Sequence, residues 1–111
     1  MPLFEKVRVE IYVPDLPVQT YQDLLESLEQ EFTHTFGGST VVRGLRGSYL
    51  SRLGLAMRDR VNLIYSDLPL SLQGDRELIS RYADYIRDAT FAALNEEAVL
   101  VAVIEVYHAQ V

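Results

Sequence analysis

The chain has 111 residues, enough to bury a core of its own but short for two domains, so residues 1–111 read as a single domain. Apolar residues make up 49% and charged residues 23%, an ordinary globular balance, and the absence of cysteine excludes disulfides, thiolate metal sites and cysteine nucleophiles. The formal net charge of −6 argues against nonspecific binding to nucleic acid or to an anionic membrane surface.

The longest apolar run, Ala98 to Ile104, is far shorter than the ~20 residues that span a bilayer. The opening Met-Pro-Leu-Phe-Glu-Lys has no long apolar stretch of the kind a secretory leader carries. Together with the missing cysteines, these features lead to the expectation of a cytoplasmic protein.

Val7, Val9, Ile11 and Val13 alternate with Arg8, Glu10 and Tyr12, a period of two that predicts a strand with one apolar face. Pro14-Asp15-Leu16-Pro17 ends it. Thr20 is placed to cap a helix, with Asp23 three residues on. Tyr21, Leu24, Leu25, Leu28, Phe32 and Phe36 then form a helical stripe over about 20–36, which Gly37 and Gly38 stop by supplying left-handed backbone. Thr40 to Leu45 is the second strand, running less regularly to Leu50. Gly44 and Gly47 mark a bulge, a bend or a close backbone approach.

Ser51 to Arg60 reads as a long connection or a hairpin extension, and Val61 to Tyr65 as a third strand that Asp67-Leu68-Pro69 breaks. Asp75 caps a second helix over about 75–95. Its stripe is Ile79, Tyr82, Ile86, Ala89 and Ala93, and Asn95 is its C-cap. Ala98 to His108 is the last strand.

The order β-α-β-β-α-β, with two right-handed crossovers, gives an α+β fold. Four antiparallel strands lie in the spatial order 4-1-3-2 with both helices on one face, the ferredoxin-like arrangement. The last strand is apolar on both faces: Val99, Val101 and Val103 alternate with Leu100, Ala102 and Ile104. A sheet face open to water carries more polar residues. The expected cover is a second copy of the chain, in a homo-oligomer, dimer before trimer, formed through the outer sheet face near Val99, Val101 and Val103. The alternative is that the C-terminal tail or the 48–60 segment folds over that face.

Residues 39–60 hold Arg43, Arg46, Arg52, Arg58 and Arg60 against the one acid Asp59, so this segment is +4 and the rest of the chain −10. Arginine can grip a carboxylate or phosphate with two parallel hydrogen bonds, and glycine bends leave backbone amides open to a ligand. Arg43, Gly44, Arg46 and Gly47 are therefore the candidate ligand-binding residues, for a small anion or nucleotide. The competing reading is that these arginines pair with acids on the two helices.

A second candidate set, for acid–base chemistry in a sheet-face cleft, is Glu10, Tyr12, Glu105 and Tyr107. It shares one face if Leu100, Ala102, Ile104 and Val106 turn toward the helices. Ordinary cross-strand pairing with Arg8 and Arg43 competes with it. His34 and His108 are the only histidines, and neither opens a metal-ligand spacing. No nucleophile elbow, Walker loop or dinucleotide fingerprint occurs, so no metal and no cofactor is expected.

Ile11-Tyr12-Val13-Pro14-Asp15-Leu16 looks like the first-strand motif of RNA recognition motifs. The third strand, Val61-Asn62-Leu63-Ile64-Tyr65, lacks their basic-Gly-aromatic pattern. Gly44-Leu45-Arg46-Gly47 follows a strand rather than joining two helices, unlike the GxxG loop of KH domains.

Phe36-Gly37-Gly38-Ser39-Thr40-Val41, then Gly44 and Gly47, then a strand, a long helix and Glu96-Glu97-Ala98-Val99-Leu100, resembles a family of small uncharacterised bacterial α/β proteins. That likeness spans most of the chain and implies a ferredoxin-like fold. Gly38-Ser39-Thr40-Val41-Val42-Arg43-Gly44-Leu45-Arg46-Gly47 is also similar to the Gly-Ala-Thr-Val-x-Arg-Gly-x-x-Gly segment of PII-like signalling proteins, and Tyr21 and Asp67-Leu68-Pro69 echo them too. This second resemblance implies a ferredoxin-like trimer with nucleotides or other anions held between subunits. The connection after Gly47 and the longer second helix depart from that family's pattern.

Overall fold

A computed structural model describes residues 3–50, 56–94 and 100–109. The elements follow the order β1 (Leu3–Pro14), α1 (Gln19–Phe36), β2 (Thr40–Leu50), β3 (Ala56–Leu68), α2 (Arg76–Leu94) and β4 (Leu100–Ala109). All pairings are antiparallel, and the sheet order is β2-β3-β1-β4, which is the expected 4-1-3-2 read from the other edge.

Val7, Val9, Ile11 and Val13 are buried on the helix side of β1, opposite Leu68, Ser66, Ile64 and Asn62 of β3. Tyr21, Leu25, Leu28 and Phe32 of α1 and Ile79 and Ile86 of α2 close the core over them. Phe32, Phe36 and Tyr82 form an aromatic run at the helix–helix seam, with ring centroids 5.9 and 5.0 Å apart. The buried polar side chains have uses: Ser66 Oγ donates to Gly38 O at 2.7 Å and Thr90 Oγ1 to Ile86 O at 2.7 Å, while Asn62 binds at the edge of the core.

Several local expectations are corrected. Thr20 does not cap α1. Val18 is the N-cap residue, and Gln19 Nε2 instead donates to Asp23 Oδ1 one turn on. Of Gly37 and Gly38, only Gly37 adopts left-handed backbone (φ 88°), its N–H closing on Thr33 O at 2.9 Å. The Asp75 carboxylate turns back to the Ser71 N–H, while its backbone carbonyl starts α2. Asn95 and Val99 lie outside the described residues.

The third strand is much longer than Val61–Tyr65. It starts at Ala56 and runs through Asp67 and Leu68, so the described residues 56–60 belong to a hairpin extension, while 51–55 lie outside the described residues. Pairing from Leu45↔Val61 to Leu50↔Ala56 carries that ribbon, and the molecule measures 47 × 29 × 28 Å.

Candidate functional site

The base of this ribbon gathers the arginines. Val41 lies opposite Ile64 and Val42 opposite Leu63, but Leu45, not Gly44, lies opposite Val61. One extra residue on β2 makes a β-bulge, with Gly44 at φ 72°. Side chains alternate faces with a period of two, so residues three apart on a regular strand point to opposite sides. The bulge cancels that difference. Arg43 reaches toward α1, where its Nη1 donates to Gln22 Oε1 at 3.3 Å. Arg46 is the register partner of Arg60, which sits two residues before the core-facing Asn62. Arg43, Arg46 and Arg60 therefore share the helix-side face of the ribbon, and all three are exposed. All three arginines are visible in the sequence, but the bulge that aligns them is not.

Like charges directly across an antiparallel pair destabilise it. Among the described residues no carboxylate pairs with Arg43 or Arg46, and the contact of Arg43 is a neutral amide. Pairing with helix acids is instead the habit of Arg81 and Arg87.

Gly44 serves differently from expectation. Its N–H is bound by Asn62 Oδ1 at 3.0 Å, so this amide does not point at an open ligand position. Gly47 lies in register opposite Asp59. Arg58 is opposite Ser48, and Arg52 lies outside the described residues.

The outer sheet face is the second surface of interest. Register puts Lys6, Arg8, Glu10 and Tyr12 on that face together with Leu100, Ala102, Ile104 and Val106 of β4. Val101 and Val103 lie opposite Ile11 and Val9, on the helix side, and Val101 packs against the core. This corrects the expected interface residues: the apolar outer row of β4 is Leu100, Ala102, Ile104 and Val106. Val42 and Leu63 extend that surface on β2 and β3.

The same register separates the four acid–base candidates. Tyr12 donates to Glu10 Oε1 at 3.1 Å on the outer face, and Tyr107 to Glu105 Oε2 at 3.4 Å on the helix side, so no single cleft holds all four. Burial, then the neighbouring Glu10, pushes the Tyr12 phenol above its usual range. The Glu105 charge does the same to Tyr107.

Further along the outer face, Arg8 grips Asp67 with two hydrogen bonds, Nε to Oδ1 at 2.7 Å and Nη2 to Oδ2 at 3.0 Å. It also stacks 4.2 Å over the Tyr65 ring. His108 Nε2 stands 3.3 Å from Asp67 Oδ2, shielded from solvent but outside hydrogen-bonding geometry. A cleft of about 340 Å³ opens beside this group, between the α1–β2 turn at Phe36–Thr40 and Tyr65–Asp67. Among the described residues no cluster of three or more histidines and acids could hold a metal ion. Nor is any helix among them long and apolar enough to cross a membrane.

No protein-family model and no curated protein matches this sequence. Solved structures share its fold. CPII, a nitrogen regulatory PII-like protein from Thiomonas intermedia K12 bound to ADP, AMP and bicarbonate, is 18% identical with a TM-score of 0.52, covering 98% of both chains. CutA1 from Oryza sativa is 18% identical with a TM-score of 0.54, covering 97% of this chain and 84% of its own. A phage SAM lyase in its apo state is 18% identical with a TM-score of 0.60, covering 91% and 81%. At these identities the likeness is one of fold, the ferredoxin-like α+β fold.

Proposed function

We propose that this protein is a non-catalytic ligand-sensing or interaction module. It takes a small anion or nucleotide on Arg43 and Arg46 at the ribbon base and assembles with its own copies, dimer before trimer, through the outer sheet face. The observation that carries this reading is the convergence of Arg43, Arg46 and Arg60 on one exposed face, with Arg46 and Arg60 opposed in register. Guanidinium groups suit phosphate and carboxylate, which they can grip with two parallel hydrogen bonds. The PII-like neighbour bound to ADP, AMP and bicarbonate supports the class of ligand. The acidic, cysteine-free composition suits a cytoplasmic setting.

Thermal shift with ADP, AMP, bicarbonate and inorganic phosphate tests it. A ligand at a hundred times its dissociation constant adds about 2.7 kcal/mol of stability, seen as a raised Tm. Arg43→Ala combined with Arg46→Ala should keep the fold and abolish the shift. No shift with any of the four, or an equal shift in the double variant, refutes the reading.

The alternative is a small enzyme using Glu10 as acid or base. The part-buried Tyr12–Glu10 pair and the fold shared with a phage SAM lyase favour it. Breakdown of SAM on incubation with the protein, lost in Glu10→Gln, would decide for that reading.

A further inference from the structure

Asn62 is a polar residue in an apolar row. It follows the core alternation of Ile64, Ser66 and Leu68 on β3 and is 2% exposed. An amide buried there is costly unless both its ends are bound. Both are. Its Oδ1 accepts the Gly44 N–H at 3.0 Å, and its Nδ2 donates to Asp15 Oδ1 at 3.2 Å. The two partners fix which end of the amide is which, because one is a donor and the other an acceptor. The Asp15 N–H in turn donates to Arg60 O at 2.8 Å. Gln22, one turn into α1, bonds Leu16 O with its amide nitrogen and Arg43 with its amide oxygen. The β1–α1 connection is thus tied to the ribbon base at Arg60, at Asn62 and at Arg43.

From this geometry we infer that Asn62 is the positioning residue of the anion site. Its side chain holds the Gly44 bulge and so fixes which face Arg46 presents. The bulge has an obvious competitor. If β2 slips by one residue to pair regularly, Gly44 meets Val61, Leu45 meets Arg60 and Arg46 moves to the opposite face of the ribbon. Gly44 N–H bound to Asn62 is incompatible with that slip. The left-handed backbone at Gly44 is compatible with the bulge alone. Asp15 keeps the amide aimed, so Asn62 and Asp15 act as a unit through Gly44. This inference rests on the anion-site reading for its functional meaning, but the latch itself is measurable without any ligand.

The test uses three variants of the full chain: Asn62→Leu, Asn62→Asp, and Asn62→Asp combined with Asp15→Asn. Two readouts are taken, amide hydrogen exchange at Gly44 and affinity for inorganic phosphate and ADP. Asn62→Leu suits the apolar row, so the chain should stay folded while Gly44 exchange speeds at least tenfold and affinity falls at least fivefold. Asn62→Asp alone places two carboxylates together and should do the same. The paired exchange restores one donor and one acceptor between positions 15 and 62 and should return both readouts to within twofold of the original. Should Asn62→Leu fail to fold, the contrast between Asn62→Asp and the paired exchange carries the test. Unchanged Gly44 protection in the folded single variants, or no recovery in the paired exchange, overturns the latch. Recovery of Gly44 protection without any binding of phosphate or ADP by the original chain leaves the latch standing and removes the anion-site reading instead.

Discussion

Asp67 shows how one side chain in this molecule sets a pH limit. The Arg8 fork holds its carboxyl below the usual carboxylate range, against an opposing push from burial. The ionised form is thus favoured by folding. That stabilisation is complete above the unfolded-state value of about 3.9 and is lost as pH falls through the lower, folded value. Both groups keep some solvent contact, so the contribution is about 1 kcal/mol rather than that of a fully buried pair. Asp67→Asn should lower urea stability at neutral pH by that amount and flatten the acid limb of the stability curve. Equal loss at all pH values would show that packing, not charge, is what Asp67 contributes. Glycine roles are also decided at this scale. Gly44 and Gly37 take left-handed backbone, while Gly38 does not.

At the scale of elements, α1 is held by packing rather than by its N-terminal end. It lacks a side-chain N-cap bond, but Phe32 is fully buried against the sheet and touches Phe36. Phe32→Ala should cost roughly 3–5 kcal/mol, enough to unfold a large share of so small a domain at 37 °C. A loss under 1 kcal/mol in chemical denaturation would mean that the seam repacks. The core was legible in the sequence because it rests on simple periods: Val7-Val9-Ile11-Val13 in twos, Tyr21-Leu25-Leu28-Phe32 in threes and fours. The ribbon was not, because Ala56-Met57-Arg58-Asp59-Arg60 ends in three consecutive charged residues and has no apolar row, and strand pairing there comes from the partner strand. The arginine face was hidden for a related reason. One glycine shifts parity at the bulge, and Asn62 looks like an ordinary strand residue until its two partners are in place. The faces of β4 were read the wrong way round because both rows are apolar in its first half, and the polar Glu105 and Tyr107 sit in the row of Val101 and Val103, which turns toward the helices.

For the whole molecule, the open sheet face is the feature to test. Leu100 and Ile104 are 59% and 40% exposed on it, beside the half-buried Tyr12 and Leu63. Ile104→Glu places a charge in the centre of that row. Its register partner Arg8 is already held by Asp67, so burying the new carboxylate between copies is costly. The protein should sediment as an oligomer at micromolar concentration, and Ile104→Glu as a folded monomer. A wild-type monomer under the same conditions removes the assembly. The outer face has one more property that follows from composition. Nine of its ten basic residues being arginine, the chain has a single lysine, Lys6, and β1 places it on this face. An amine-selective acylating reagent therefore meets one side chain in the entire protein. Once the N-terminal amine is told apart by peptide mapping, Lys6 is a built-in side-chain footprinting label, positioned where a partner subunit would shield it.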